Sequence, residues 1–423
     1  MYIRKVGIKN IRAISEFTME FPEGKEAGWH VLIGDNGTGK STVLQAIAMG
    51  IMGDQVLRVD PYWESWVTKG QKNASIEVIY RREDKYDIEE PYRSRNEKIT
   101  RFDLIQNGDT YEIKTAINWR KGNTTHKGKR FYCGFGSFRR FTGGRDLESG
   151  EDKMTPLTPF ESLFKPEILL NASLAWIKDQ YLRSLEKKAG AASNLHILKQ
   201  FISSGELLPD GIVIDEINSD GVFLRTSDNM VLHISEFSDG IKSTLALTLE
   251  LFRLLFTSYG TAEIEKSIQQ TMVISVPGVM LIDEIDAHLH PTWQTRIGQW
   301  FTKYFPNIQF IVTTHSPLIC RGCVNERGEI NGTIWHLAAP GSGEESGLLS
   351  EADRDKLIYG NILDAYGTGA FGENIERTKA AQALLKELAQ LDKLHTFGQI
   401  SPEQDQRRLE LQKIFTTDVI TDF

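Results

Sequence analysis

Gly34-Asp35-Asn36-Gly37-Thr38-Gly39-Lys40-Ser41 has the residue types and spacing of a loop that wraps phosphate. Its glycines free backbone N–H groups to face an anion, Lys40 reaches the β/γ oxygens, and the Ser41 hydroxyl suits a divalent metal. Asn36, Gly37, Gly39 and Thr42 complete the cradle, with Thr42 beside the α/β phosphates. Far downstream, Val279-Met280-Leu281-Ile282 ends in Asp283-Glu284. Asp283 suits Mg²⁺ and Glu284 suits orienting an attacking water. The two segments together imply a nucleoside triphosphate with Mg²⁺ as ligand and hydrolysis of its terminal phosphate as the chemistry.

The elements around these residues follow from their patterns. Trp29 to Ile33 reads as a short buried strand, and Ser41 to about Met52 as the helix whose positive end faces the anion. A third segment, Phe237-Ser238-Asp239-Gly240-Ile241-Lys242-Ser243, precedes an apolar helical run from Leu245 to Phe256. Ser238 is placed as its N-cap, so that the helix end behind it can receive a second anion. A fourth, Ile311-Val312-Thr313-Thr314-His315-Ser316-Pro317, is a strand followed by histidine.

Segments three and four resemble the signature motif and the switch histidine of ABC-type ATPases. Met1 to Arg12, followed by Leu32-Ile33-Gly34-Asp35-Asn36-Gly37, is similar to the opening of RecF-like, SMC-like and OLD-type ATPases. Asp283-Glu284-Ile285-Asp286-Ala287-His288-Leu289-His290-Pro291 resembles their extended acidic motif. Within this group the chain is similar to the compact ATPases of prokaryotic anti-phage systems of the Septu and PARIS kind. The resemblance is strong over residues 1–50, 130–145 and 230–320. It implies a homodimer or higher oligomer built from head-to-tail pairs, with two ATP molecules at each pairing interface. Ser238 and Gly240 would engage the partner's γ-phosphate and His315 would sense it, with Glu284 as the catalytic carboxylate that orients water. The resemblance also implies a sensor or regulator that controls a separately encoded nuclease or toxin.

Two features depart from that pattern. Ile241 stands where such signatures carry Gln or Glu, and no Q-loop glutamine closes the segment Gly134-Phe135-Gly136-Ser137-Phe138-Arg139-Arg140. Either an arginine or another glutamine takes over, or γ-phosphate sensing is altered. A rival reading is a RecF-like repair ATPase that clamps duplex DNA. A transporter's ATPase subunit is disfavoured by the missing glutamine and by the His288-Leu289-His290-Pro291 run.

The expected fold is α/β: a P-loop NTPase of ABC type with an antiparallel β subdomain, a short helical insert and a helical C-terminus. Residues 1–145 form the first part of the lobe, 146–210 the insert, 211–340 the second part and 341–423 the C-terminal region. Ile76 to Tyr80, Phe102 to Ile105 and Tyr111 to Trp119 read as strands, with Asn107-Gly108 as a hairpin turn. Residues 53–73 and 83–98 read as loops over Trp63 and Trp66. From 158 to 205 the pattern is helical, with Leu174, Ile177, Tyr181 and Leu185 on one face. A meander over 212–234 leads into the signature. Residues 378–394 and the segment opened by Ser401-Pro402-Glu403-Gln404 read as two C-terminal helices. No heptad pattern persists, which argues against long coiled-coil arms. The 108 residues after His315 leave no room for a carboxylate-rich nuclease domain, so the protein is not expected to cut nucleic acid by itself.

Composition bounds the setting. Three cysteines make no disulfide framework, which fits a reducing cytoplasm, and Cys320-Arg321-Gly322-Cys323 lacks a second pair for a metal site. No apolar run approaches the roughly 20 residues of a membrane span, so no membrane partner is expected. The net charge of −8 argues against a surface that binds nucleic acid throughout. Charge is uneven, however. Arg120, Lys121, Lys127, Lys129, Arg130, Arg139, Arg140 and Arg145 fall in one stretch without an acid. Trp119, Phe131, Tyr132, Phe135, Phe138 and Phe141 interleave with them. This is the composition of a DNA contact through 120–145, or of a core strand whose arginines face ATP.

Overall fold

The computed structural model describes residues 1–53, 63–81, 97–107, 110–117, 131–137, 158–165, 171–203, 207–208, 211–268, 272–361, 379–396 and 399–415. The central layer is a sheet of six strands in the order β14-β13-β3-β12-β11-β7. These are β3 (Gly28–Ile33), β7 (Tyr132–Phe135), β11 (Gly278–Ile282), β12 (Ile308–Thr314), β13 (Gly332–His336) and β14 (Gly347–Leu348). All neighbours in it are parallel except β13 and β14.

Every residue of β3, β11 and β12 is buried. Covered parallel strands bury both faces, so they read as continuous apolar runs rather than alternating ones. Alternation reappears in which core each residue enters. Trp29, Val31, Ile33, Met280, Ile282, Phe310 and Val312 join one cluster, while Leu32, Val279, Leu281 and Ile311 join the other. The sheet thus separates two cores, each fully buried aliphatic contributing about 2 kcal/mol of transfer free energy.

On one side lie α1 (Lys40–Met52) and an antiparallel sheet in the order β2-β1-β4-β5-β6. Its strands are β1 (Tyr2–Ile11), β2 (Ile14–Glu20), β4 (Asn73–Arg81), β5 (Glu97–Asn107) and β6 (Thr110–Ile117). Ile76, Val78 and Tyr80 alternate inward as expected. Strand β5 is longer than the apolar run Phe102 to Ile105 suggested and begins inside the expected loop, because its backbone pairs with β4 as far as Arg81 opposite Glu97. Asn107 pairs with Thr110, so β5 and β6 form the expected hairpin; Gly108 lies outside the described residues. Trp66 is fully buried beneath the Arg12 guanidinium, 3.9 Å from its ring centroid.

Helix α2 (Glu161–Phe164) packs on the α1 side through Leu163 and Phe164, and on the other side lie α3 (Asn171–Leu185), α4 (Ala191–Ser203), α5 (Asp239–Tyr259) and α6 (Thr261–Ser267). Ile177 packs in that core with Leu174 and Tyr181 against it. Leu185 departs from the expected face and is 62% exposed, because α3 ends there and the chain turns through Lys187 at φ 55°. The meander is β8 (Val213–Ile217), β9 (Val222–Arg225) and β10 (Val231–His233), ordered β10-β9-β8. Helices α7 (Pro291–Gln294), α8 (Ile297–Tyr304) and α9 (Glu351–Tyr359) follow the acidic motif and the last strands.

Helices Lys379–Thr396 and Pro402–Phe415 meet through Leu388, Leu391 and Leu411. The second opens on a reciprocal cap, with Ser401 Oγ accepting from Gln404 N–H and Gln404 Oε1 accepting from Ser401 N–H. Among the described residues no helix is long and apolar enough to cross a membrane.

Candidate functional site at the sheet edge

Loops leaving the C-terminal ends of β3, β11 and β12 come together because those strands are neighbours and parallel. That edge is where open α/β sheets place their ligands. Between β3 and α1 the backbone takes positive φ at Gly34 (154°), Gly37 (79°) and Gly39 (105°). A Cβ on Gly34 would stand 2.4 Å from the Leu337 carbonyl oxygen, so only glycine lets the loop pass β13. Gly39 occupies the N-cap of α1 without a side-chain cap hydrogen bond, and the first turn carries no acid. The helix therefore presents its N–H groups and positive dipole end without a carboxylate of its own, a cradle fitted to phosphate.

Lys40 is nearly buried, and its ammonium donates to the carbonyl oxygens of Gly34 (2.7 Å) and Asp35 (2.9 Å). Burial pulls this lysine below its ordinary range, while the charges of Asp283, Glu284, Asp286 and Asp35 pull it back. The acids of the second motif thus act on the lysine of the first across about 240 residues of chain. Among the described residues no group of three or more His, Cys, Asp or Glu could hold a metal alone. A site with one near-buried carboxylate, Asp283, and the Ser41 hydroxyl instead fits Mg²⁺ that arrives with phosphate oxygens.

The strand ends lock the acids. Thr313 Oγ1 donates to Asp283 Oδ1 (2.6 Å) and accepts the Glu284 N–H (2.7 Å). Glu284 sits at φ 45°, a left-handed conformation that costs an ordinary residue about 1–2 kcal/mol. Thr314 Oγ1 donates to Asp286 Oδ1 at 2.6 Å. Ser316 Oγ donates to Gln294 Oε1 (2.7 Å), and Gln294 Nε2 donates back to the Leu289 carbonyl (2.9 Å). The sequence reading missed these anchors, although the hydroxyl run Thr313-Thr314 beside His315, with Ser316 after it, was a visible signal. His315 follows at the same edge, partly exposed; burial and then the Lys40 charge hold its imidazole below the ordinary range, against Asp286, Glu284 and Asp283.

Ser238 occupies the N-cap position of α5, yet its exposed side chain makes no cap hydrogen bond. Gly240 packs beneath the His288 carbonyl. Phe131, Cys133 and Phe135 are core residues of or beside β7, consistent with the strand reading of that stretch. Residues 118–130 and 138–150, which hold the expected DNA contact and the arginines of the Q-loop region, lie outside the described residues. Cys320 and Cys323 are buried, and burial pushes both thiols up; Cys323 Sγ donates to the Trp29 carbonyl at 3.2 Å.

Comparison with known proteins finds similarity in sequence to ATPases. Residues 138–321 match the family described as "AAA domain, putative AbiEii toxin, Type IV TA system", and residues 5–200 match an AAA domain family. The chain is 29% identical to the Septu protein PtuA of Bacillus mycoides over 78% of its own length and 40% of that protein's. It is 26% identical to the retron Ec83 probable ATPase of Escherichia coli over 75% of its length and 69% of the relative's. An SMC head bound to the C-terminal winged-helix domain of ScpA aligns with TM-score 0.49 and 16% identity, over 82% of this chain and 97% of that one. With the P-loop and the acidic strand end arranged on one α/β lobe, the chain is an ATPase similar to the Septu protein PtuA and to the ATPases of retron systems.

Proposed function

We propose that the protein hydrolyses ATP in sites shared between two copies packed head to tail. In this reading it is the sensor or regulator subunit of an anti-phage complex whose nuclease or toxin is separately encoded. The observation that carries the catalytic part is the convergence of Lys40, Asp283, Glu284 and His315 at one sheet edge.

Lys40 exchanges its loop carbonyls for phosphate oxygens, and the N–H groups from Gly37 to Thr42 line the phosphate chain, with Asn36 at the loop's outer turn. Ser41 and Asp283 would hold Mg²⁺, which when bound neutralises charge on the phosphates. Glu284 orients the attacking water, and His315, held neutral by its surroundings, hydrogen-bonds near the γ-phosphate. Ser238 and Gly240 of one copy close over the nucleotide of the other. The exposed Ser238 side chain, which makes no cap hydrogen bond, supports that placement, with Asp239 of the same turn ion-paired to Lys242 at 2.9 Å.

The defence part rests on similarity to Septu and retron proteins, one of which is more than twice as long as the segment it shares with this chain. The test has two stages. Purified protein should hydrolyse ATP with Mg²⁺, and native mass measurement should show ATP-dependent pairing of the Glu284→Gln variant. Native pull-down with the products of flanking genes should then recover a nuclease or toxin. Hydrolysis that rises steeply on adding gapped duplex DNA, with no such partner recovered, would instead favour a DNA-clamping repair ATPase.

A further inference from the structure

We propose that Thr313 is a positioning residue for hydrolysis, setting Asp283 and Glu284 together through one hydroxyl. The inference rests on the assignment of ATP hydrolysis to this site. A hydroxyl has one proton to donate and lone pairs to accept with. In Thr313 the proton goes to Asp283 Oδ1 at 2.6 Å, and a lone pair takes the Glu284 N–H at 2.7 Å. Both acids are thus referred to one atom on the neighbouring strand.

Three features make that atom a fixed reference. Thr313 is fully buried. Strands β11 and β12 are in parallel register with Ile282 opposite Val312, so Asp283, one residue past β11, follows beside Thr313, which is still paired with Leu32 of β3. The main chain of Thr313 also accepts the Ile285 N–H at 3.0 Å, which places Glu284 between two bonds to the same residue. A β-branched side chain buried in a strand has little freedom at χ1, so its hydroxyl cannot swing away.

Glu284 needs such anchoring. Its φ of 45° is one that a chain without support leaves, and leaving it would swing the carboxylate by rotation about its own backbone. Asp283 gains orientation of a different kind: one oxygen is engaged by the hydroxyl, which fixes the plane of the carboxylate facing Lys40. Thr313 touches neither nucleotide nor water in this assignment; it acts through the two acids.

Thr313→Val keeps shape and branching and deletes the hydroxyl, whereas Thr313→Ser keeps the hydroxyl. The Val variant should lose on the order of 10- to 100-fold in kcat, the scale of a small misplacement of a reacting group. Its KM for ATP should stay within about 3-fold, since the phosphate loop is untouched. Without nucleotide, hydrogen exchange at the end of β11 should speed up by one amide, that of Glu284. Thr313→Ser should restore both kcat and protection, which a role in packing alone would not require. If the Val variant does not fold, Thr313→Ala deletes the same hydroxyl with less bulk and carries the same expectation. Wild-type kcat with unchanged exchange in the hydroxyl-free variant, or equal losses in the Ser variant, would overturn the proposal. Lys40→Ala serves as control: wild-type hydrolysis that survives it would sink the site assignment, while the exchange measurement would still judge Thr313.

Discussion

The α-carbon of Gly240 faces the carbonyl oxygen of His288 so closely that a Cβ built on it would stand 2.6 Å away. The start of the signature helix is thereby seated on the loop that follows Asp283 and Glu284. That loop is held from beneath by Thr314 on Asp286 and by Gln294 on Leu289. Within one copy, hydroxyls from β12, the acidic loop and the signature helix form a continuous set of contacts. A change in the loop on hydrolysis therefore has a route to the start of α5, the face proposed to meet a second copy.

Ser238→Arg tests whether that face is shared. A bulky cation at the start of α5 fills the space for the partner's nucleotide, so ATP binding per copy should be near normal while hydrolysis and ATP-driven pairing are lost. Mixing this variant with Lys40→Ala creates heterodimers with one intact composite site. Some ATPase activity should return on mixing; none returning would mean that the sites fire only together or that Ser238 serves its own copy.

Lys40→Ala should weaken ATP binding by on the order of 100-fold, about 3 kcal/mol, because the loop loses its only side-chain cation. Equilibrium titration with a fluorescent ATP analogue reads this directly. Wild-type affinity would show that the loop at 34–41 is not the phosphate site.

Glu284→Gln should bind ATP normally and hydrolyse it about 100-fold more slowly or worse, since the amide cannot accept a proton from water. The pair closed on ATP and Mg²⁺ should accumulate and be visible in native mass spectra. Normal turnover would move the base elsewhere, with Asp286 or His315 next in line.

His30, on β3, predicts an acid limit to stability. The Glu26 carbonyl can only accept, so Nε2 carries the proton (2.8 Å) and Nδ1 accepts from Thr333 Oγ1 (2.8 Å). Complete burial lowers its pKa to about 4 from 6.5. Between those values the unfolded chain binds a proton that the folded chain refuses, so stability falls as pH drops through this window and is intact above it. The full contribution is about 3 kcal/mol. Denaturant unfolding at pH 7 and pH 5 should show a smaller acid loss in His30→Gln than in wild type. Equal losses in both would assign the acid sensitivity to other groups.

Much of the site was legible before any coordinates. Short segments whose spacing is dictated by local backbone geometry could be read in line: the glycines of 34–39, Lys40 and Ser41 at the head of a helix, and Asp283-Glu284 at the end of an apolar strand. Strand β5 was only half legible, because its outer residues are polar and are held by backbone pairing with β4, which composition does not record.

The sequence by itself determined the kind of ligand, the lobe type and the order of the motifs, since phosphate binding needs particular residues at adjacent positions. Only the tertiary structure decided that Thr313 bridges Asp283 and Glu284, that Glu284 lies at a left-handed φ, and that Gly240 rests on His288. Those relationships join residues about 30 to 50 positions apart. The Thr313 bridge exists because parallel pairing of β11 with β12 sets their ends side by side, a fact of strand register that no run of neighbouring residues encodes.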